Sequence, residues 1–416
     1  MTVLLALALL LAQPLKQSTI LLNCPLGSAA GTGDDNFTCS GGESLTFTRS
    51  SPSIACPRTA LENTAVWEEA TNTGCFIDGY GLHMYQGLTN SAIRSEAFDN
   101  ASWVDVGTPV RAAGVGDSPL NDTDADTLAD SIEDNDGAGQ EGVGQVYATN
   151  TTSLQSVSVW ARVASGTLAW SLCVLTGTDT CNTGNGCCVN QSATTTWTRL
   201  DQTATTGATS QTKAMRVVIG NDGTGATTGV LWLWGAQAVT EARTATANIP
   251  YCRSTGASAT ACAADTATVT VDNFPWLEGA ITIDTRPYWN ALSDTQTSNQ
   301  LAWFDARDAG NNNRRAVVFV VSDDNTYFTN VSNGGATTNI NAAITWAQGT
   351  ANTLFAAWGL SNRSFGQNFT VSVRAADTNA PSAAPTTVSL GNGISSRLEA
   401  AISNVRFYRL PQTYMR

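Results

Sequence analysis

Short runs in which apolar and polar residues alternate recur through most of the chain, and they constrain its fold more than any other feature. Examples are SVSVWARV (156–163), AMRVVIG (214–220) and NFTVSVRAA (368–376). A period of two places successive side chains on opposite faces of a β-strand, and many short strands separated by turns are typical of a β-sandwich. Helical periodicity is scarce, and only DADTLADSIED (124–134) favours a short helix. The sequence therefore predicts an all-β protein.

The length of the chain predicts two sandwiches. One hydrophobic core rarely serves more than about 250 residues, and this chain has 416. The first strand series ends near residue 272 and a second begins after Pro275. We expect an extended N-terminal arm at 1–94, one sandwich at 95–272 and another at 273–416. The acidic, turn-rich segment 121–142 is expected to be an exposed loop of the first sandwich.

The charge of the chain argues against nucleic-acid binding. Its formal net charge is −13, and lysine occurs only at Lys16 and Lys213. Neutralising phosphates requires clustered Lys and Arg. We therefore expect neither DNA nor RNA among the partners.

Ten cysteines fall in local groups, which indicates disulfides. No C-x-x-C occurs and His83 is the only histidine, so a zinc site lacks its usual ligands. Adjacent cysteines bridge each other only with strain, so Cys187 and Cys188 are expected to pair with Cys173 and Cys181 in some order. Disulfides indicate an oxidising environment or a particle oxidised after release. The ten are Cys24, Cys39, Cys56, Cys75, Cys173, Cys181, Cys187, Cys188, Cys252 and Cys262.

An apolar run from Val3 to Ala12 opens the chain. It is too short to span a bilayer, no basic residue precedes it, and no clean small-x-small cleavage site follows it. We interpret it as a buried anchor or self-association segment. An uncleaved or mis-assigned secretion signal is the alternative.

Three stretches, in this order, resemble a modular family of bacteriophage virion proteins. ESLTFTRSSPSIA (43–55) with GYGLHMYQGLTNSAIRSEAFDNASWVDVG (79–107) is similar to the lead-in of a carbohydrate-binding-like jelly roll. VLWLWGAQAVTEARTATANIPYCRSTGASATACAADTATV (230–269) resembles that jelly roll's last strand and trailing loop. WAQGTANTLFAAWGL (346–360) with VSLGNGISSRLEAAISNVRFYRL (388–410) resembles the closing strands of a concanavalin-A-like or laminin-G-like sandwich.

The resemblance implies two lectin-like sandwiches on the surface of a phage particle, as a head or tail fibre, a spike or a decoration protein. Host-surface glycan adhesion, shell reinforcement or both would be the task. The implied partners are capsid or tail proteins, host surface polysaccharide and further copies of the chain, with a trimer as the first expectation. Unlike the family pattern, the chain carries cysteines at 24 and 39, 56 and 75, and 252 and 262, which indicates a cross-linked particle.

Candidate glycan contacts are aromatic side chains beside polar turns. They are Tyr288, Trp289 and Tyr327, with Asn312 in the asparagine turn 311–313. Trp160, Trp170, Trp232 and Trp234 fall in predicted strands, where core packing is the preferred interpretation.

Calcium is the one cofactor the sequence suggests. Asp122, Asp124 and Asp126 alternate in a Gly-rich acidic segment, and Ca²⁺ takes six to eight oxygen ligands. The EF-hand glycine and terminal glutamate are missing at the required offsets, so a solvated loop is the preferred interpretation.

Catalysis finds little support in the sequence, and we expect no enzyme. No G-x-S-x-G elbow or P-loop occurs. Glycoside hydrolysis needs only two carboxylates, for which Asp284, Asp305 and Asp308 are candidates, but no pair stands out. A polysaccharide-degrading tail enzyme is therefore one alternative. A secreted, non-viral cell-surface lectin is another alternative, because eight N-x-[ST] sequons occur and such sequons can be glycosylated in secreted proteins. That number is near chance in a chain so rich in Asn, Ser and Thr.

Overall fold

The computed structural model contains only strands and irregular segments in the residues that it describes. These are 19–25, 45–48, 54–57, 66–68, 75–77, 81–84, 88–119, 128–137, 139–151, 155–176, 188–204, 211–221, 227–239, 251–262, 266–269, 274–287, 300–320, 325–332, 334–335, 337–342, 344, 346–347, 349–359, 362–368, 370–376, 380–390 and 400–409. No helix in this part of the chain is long and apolar enough to cross a membrane.

The strands, in chain order, are β1 (Thr19–Pro25), β2 (Leu45–Thr48), β3 (Ile54–Pro57), β4 (Val66–Glu68), β5 (Cys75–Ile77), β6 (Gly81–Met84), β7 (Leu88–Asn90), β8 (Val104–Val106), β9 (Val110–Gly116), β10 (Ala129–Asp134), β11 (Gly142–Thr151), β12 (Gln155–Arg162), β13 (Leu168–Thr176), β14 (Cys188–Ala193), β15 (Thr198–Ala204), β16 (Gln211–Ile219), β17 (Gly229–Val239), β18 (Tyr251–Cys252), β19 (Thr260–Cys262), β20 (Thr266–Val269), β21 (Gly279–Pro287), β22 (Gln300–Arg307), β23 (Arg314–Val320), β24 (Asn325–Val331), β25 (Thr338–Ala342), β26 (Asn352–Trp358), β27 (Asn362–Gln367), β28 (Thr370–Ala376), β29 (Thr387–Leu390) and β30 (Ala400–Arg409).

The chain divides into two compact units. The first unit comprises 1–50, 72–86 and 264–416, and the second comprises 51–71 and 87–263. This division differs from the expected one, because the segment 1–94 does not form a separate arm where it is described. Its strands β1, β5 and β6 join a sheet of the first unit, while β3 and β7 pair with strands of the second.

The first unit is a sandwich of two antiparallel sheets. One has the order β28-β27-β26-β21-β30-β6-β5, with β1 also paired to β30, and the other has the order β2-β20-β29-β22-β23-β24-β25. Alternate apolar side chains of both sheets meet in one core, for example Ile281 and Phe365 from the first sheet and Phe304 and Phe328 from the second. The expected period-two pattern therefore corresponds to burial between stacked sheets.

The second unit is also a sandwich, with two five-stranded antiparallel sheets. Their orders are β15-β12-β17-β10-β9 and β14-β13-β16-β11-β8. Val157, Val159 and Leu231 of one sheet meet Trp170 and Val217 of the other in a continuous core. Both units thus confirm the predicted all-β fold with two β-sandwiches.

The tryptophans of β12, β13 and β17 divide between two clusters. Trp170 is in the core, but Trp160 and Trp234 lie on the opposite face of their sheet, in a second buried cluster with Tyr251. The rings of Trp160 and Trp234 are 5.3 Å apart, and Tyr251 lies 5.4 Å and 4.9 Å from them. Trp232 packs at the margin of the same cluster. Core packing, the preferred interpretation, is therefore confirmed for Trp160, Trp170 and Trp234, which are at most 1% exposed. Trp232 is only partly buried.

In its described residues, 128–137 and 139–142, the acidic segment 121–142 is neither helical nor wholly an exposed loop. Its residues 129–134 form β10, which pairs with β17 and β9. Ile132 enters the core, and the carboxylate of Asp130 accepts N–H bonds from Gly114 and Asp99. Because backbone groups satisfy this buried carboxylate, an acidic sequence can form an interior strand here.

Two disulfides are described, both in the second unit. Cys173 is bonded to Cys188 and Cys252 to Cys262. The first agrees with the expected pairing of Cys188 with Cys173 or Cys181, and the second with the close pair. The sulfur atoms of the remaining six cysteines, Cys24, Cys39, Cys56, Cys75, Cys181 and Cys187, lie outside the described part.

Two tyrosines of the second unit with buried hydroxyl groups provide a test of its packing. The Tyr251 hydroxyl lies 2.6 Å from Ser95 Oγ and donates to Glu96 Oε1 at 3.0 Å, whereas the Tyr147 hydroxyl is buried with no partner in the described structure. We expect Tyr251→Phe to lower the free energy of unfolding by about 1–2 kcal/mol and Tyr147→Phe to leave it unchanged or raise it. Guanidinium denaturation followed by tryptophan fluorescence measures both. An equal loss in the two variants would contradict this assignment.

The same tyrosines predict alkaline sensitivity. Burial raises the pKa of both hydroxyls above the ordinary value of 10, and the Glu96 carboxylate adds to the shift at Tyr251. Because the folded pKa lies above the unfolded one, the stabilisation is complete below pH 10 and declines as the pH rises further. We expect the wild-type unfolding midpoint to fall above pH 10, and to fall less in Tyr147→Phe. Identical pH profiles would contradict the expectation.

Candidate functional site

The turn between β22 and β23 presents the polar side chains that the sequence marks for glycan contact. Asn311 has a φ of 55°, a left-handed conformation that asparagine tolerates better than most residues. Asn312 is exposed, and its backbone N–H donates to Asp308 Oδ1 at 2.8 Å. The carbonyl of Asn312 accepts the N–H of Gly334 at 2.8 Å. Hydrogen bonds therefore fix the backbone of this asparagine turn while Asn312 faces solvent.

Asn313 supports the turn from inside. Its Nδ2 donates to Asp308 Oδ2 at 2.8 Å, and its Oδ1 accepts bonds from the N–H and hydroxyl of Ser382. The side-chain bond from Asn313, followed by backbone N–H bonds, holds the pKa of the Asp308 carboxyl below its usual value. An ionised acceptor thus organises the turn at neutral pH.

The structure does not bring Tyr327 to this turn. Tyr327 is partly exposed in β24 and alternates with the core residue Phe328, so it lies on the outer face of its sheet. It precedes Val331, which pairs with Arg314 beside the turn, by four positions. At about 3.3 Å per residue this is roughly 13 Å along the strand. Tyr288 and Trp289 lie outside the described residues.

The three carboxylates considered for glycoside hydrolysis serve structural contacts. Asp305 is completely buried in β22 and accepts two bonds from Arg314, from Nε at 3.0 Å and from Nη2 at 2.7 Å. Asp284 accepts the hydroxyl of Thr353 at 2.6 Å. Asp308 holds the asparagine turn. Each group therefore has a role in the fold of the first unit.

The candidate calcium ligands Asp122, Asp124 and Asp126 lie outside the described residues, so neither the metal site nor the preferred solvated loop is tested. The same acidic segment instead places Asp134, Asp136 and Glu141 together, with one carboxylate oxygen of each within 4.8 Å of the others. This group was not predicted from the sequence. The spacing of Asp134 and Asp136 was visible in the sequence, but the approach of Glu141 depends on the turn between β10 and β11.

Comparisons with known proteins place the chain in no established family. No family model matches it. No curated protein matches it either.

Solved structures give only distant likenesses. A domain of AbnA, an extracellular arabinanase from Geobacillus stearothermophilus, is 15% identical, with a TM-score of 0.29 over 37% of this chain and 71% of that one. The LG4-5 domains of mouse laminin alpha1 are 14% identical, with a TM-score of 0.26 over 66% and 88%. The CBM22 tandem of Paenibacillus barcinonensis Xyn10C is 8% identical, with a TM-score of 0.27 over 78% and 99%. At these TM-scores the likenesses carry no argument about function.

The buried ion pair of Asp305 and Arg314 yields a stability prediction. Asp305→Ala leaves Arg314, whose side chain is only 11% exposed, without its bidentate partner. We expect a loss of about 3 kcal/mol in the free energy of unfolding, because an uncompensated buried charge is costly. The control is Asp117→Asn, which breaks a pair with Arg162 whose carboxylate is 64% exposed, and it should cost less than about 1 kcal/mol. Urea denaturation measures both, and similar small losses would refute the assignment.

Proposed function

We propose that this chain is a non-enzymatic structural protein displayed on the surface of a bacteriophage particle, as a head or tail fibre, spike or decoration protein. Its β-sandwiches act as rigid modules for adhesion to host surface glycans or for reinforcement of the shell. It assembles with capsid or tail proteins and with further copies of itself, with a trimer as the first expectation. The proposal combines the resemblance of the sequence to modular virion proteins with the architecture of the two units.

One observation carries the proposal: in each unit the described strands form a hydrophobic core between two stacked sheets. In the first unit, Trp358, Phe304 and Phe407 pack around Phe274, with ring centroids 5.8, 6.1 and 5.6 Å from it. Native-density packing of this kind resists deformation and leaves the interior to side chains. Modules of this construction suit mechanical display outside the cell, where disulfides such as Cys173–Cys188 persist.

The carboxylates support a non-catalytic role. Glycoside hydrolysis requires two carboxyl groups that face a common substrate. Asp305 is instead sealed by Arg314, and Asp284 is bonded to Thr353 and lies 3.8 Å from Arg406. These contacts occupy the Asp305 and Asp284 carboxylates, two of the three candidates for hydrolysis.

The glycan contacts of the proposal are in the first unit. Asn312 offers an exposed amide on a backbone that is already ordered, so little conformational entropy is lost when it binds a sugar hydroxyl. Tyr327 offers an aromatic surface on the outer face of the sheet, and Tyr288 and Trp289 belong to the same sequence-based set. Aromatic rings pack against the C–H faces of pyranose rings while amides bond their hydroxyls.

Binding to isolated host-envelope polysaccharide tests the adhesion role. We expect the wild-type chain to bind, and Asn312→Ala and Tyr327→Ala each to weaken binding by about tenfold, the equivalent of one lost hydrogen bond or contact. Asn221→Ala removes an exposed amide from the other unit and is the matched control, with unchanged affinity. Biolayer interferometry with immobilised polysaccharide gives the dissociation constants. Equal affinity of all variants would reject these residues as the contact site.

Two further measurements separate the rivals. Release of reducing sugar from the polysaccharide would establish a degrading enzyme instead. Labelled antibody on intact phage particles should decorate their surface, whereas a glycosylated intact mass with unlabelled particles would establish a secreted, non-viral lectin.

A further inference from the structure

Three acidic side chains converge at one end of the second unit, outside the proposed glycan contacts. Asp134 is the last residue of β10, Glu141 directly precedes β11, and Asp136 lies in the turn between them. Asp134 and Glu141 are buried, with 1% and 3% exposure, while Asp136 is exposed. The group therefore combines two buried carboxylates with one carboxylate that faces solvent.

Each of the two buried carboxylates has one oxygen engaged and one oxygen without a partner. Asp134 Oδ1 accepts the N–H of Gly137 at 2.9 Å, and Glu141 Oε1 accepts the hydroxyl of Thr108 at 2.8 Å. Asp134 Oδ2 and Glu141 Oε2 are buried and form no hydrogen bond in the described structure. Neither residue forms an ion pair with a described residue. Two buried like charges are costly to hold together unless a cation compensates them.

The geometry of the three groups fits one hard cation. Two oxygens 4.8 Å apart can both contact an ion midway between them at about 2.4 Å, the usual Ca²⁺ to oxygen distance, and a third oxygen within 4.8 Å of both joins them after shifts of about 0.4 Å. The donors are carboxylate oxygens without nitrogen or sulfur, which suits Ca²⁺ or Mg²⁺ and not zinc or copper. Ca²⁺ accepts irregular coordination and bidentate carboxylates, whereas Mg²⁺ requires a nearly ideal octahedron. The uneven arrangement of one exposed and two buried acids favours Ca²⁺.

The group lies where connections between the two sheets of this sandwich meet. The β10–β11 connection crosses from one sheet to the other, as does the β8–β9 connection that carries Thr108. Gly107 of the latter has a φ of +70°, and a Cβ there would lie 2.9 Å from the Gln140 carbonyl oxygen. The Glu141 carbonyl also accepts the N–H of Ile219, where β16 ends. An ion here would fasten three segments that join or border both sheets.

We propose that Asp134, Asp136 and Glu141 form a Ca²⁺ site that locks the inter-sheet connections at this end of the second unit. The Ca²⁺ ion neutralises the two buried carboxylates and takes water or backbone oxygens as its remaining ligands at the open side. Its binding stabilises the second unit and takes no part in glycan contact.

Calorimetric titration of the full-length, EDTA-stripped and dialysed chain with CaCl₂ tests the proposal. We expect the wild type to bind Ca²⁺ and the double variant Asp134→Asn/Glu141→Gln to lose one bound ion per chain. Asp136→Asn changes an exposed side chain and keeps the two buried carboxylates, and it should weaken Ca²⁺ binding at least tenfold. Glu133→Gln removes the neighbouring charge of β10 without touching the group, and its affinity should stay within about twofold of the wild type.

Thermal unfolding adds a second readout. With Ca²⁺ at about 100 times its dissociation constant, the transition of the second unit should move up by about 5 °C relative to EDTA. Asp136→Asn should show a smaller shift and Glu133→Gln the full one.

Three results would overturn the site. The first is that the wild type binds no Ca²⁺. The second is that the Asp136→Asn variant and the double variant bind as many Ca²⁺ ions as the wild type, and as tightly. The third is that the wild type binds Mg²⁺ as tightly as Ca²⁺. Polysaccharide is absent from these measurements, so their failure leaves the adhesion role to its own test.

Discussion

Burial of alternate side chains between stacked antiparallel sheets is the interaction on which both units depend. In the first unit Trp303 and Trp358 are fully buried, and the indole N–H of Trp358 donates to the Pro275 carbonyl at 2.7 Å. Large rings supply the buried apolar area, and such a bond removes the cost of a desolvated donor. Polar turns and loops then need only connect strands whose positions the core has already determined, which is why the asparagine turn can keep its outer amide in solvent.

The second unit adds a further layer on one side of a sheet. The sheet β15-β12-β17-β10-β9 buries Val159 on its inner face and Trp160 and Trp234 on its outer face, where Tyr251 covers them. Arg199 lies over the Trp160 ring at 4.4 Å and donates to Ser158. This sheet is therefore restrained from both sides, and the residues after β17 are part of the fold of this unit.

The strands could be predicted from the sequence, but their outer surroundings could not. In SVSVWARV the alternation of Val157, Val159 and Ala161 with polar residues identifies β12, and these three do face the core. Trp160 breaks the rule because its outward position is covered by Tyr251, some ninety residues later, and no local pattern records such a contact.

The contacts of the acidic groups also could not be predicted from local sequence. Asp134 and Asp136 are visible as a pair, yet their closeness to Glu141 follows from a turn whose course the fold decides. The short helix that the segment 124–134 favoured is absent from its described residues, 128–134, for a related reason. The local sequence favours a helix, but pairing with β9 and β17 makes residues 129–134 a strand. Such tertiary pairing cannot be seen in the local sequence. The asparagine turn, whose hydrogen bonds are mostly local, was recognised as a polar turn from sequence.

The disulfide between Cys173 and Cys188 joins β13 to β14, which is the terminal strand of its sheet. A terminal strand exposes unpaired backbone groups that can recruit a strand from another molecule, and it can also peel away and exchange with a neighbouring copy. The covalent tie prevents β14 from leaving its own sheet. Where many copies are held side by side, such a tie suppresses strand exchange and fibrillar aggregation.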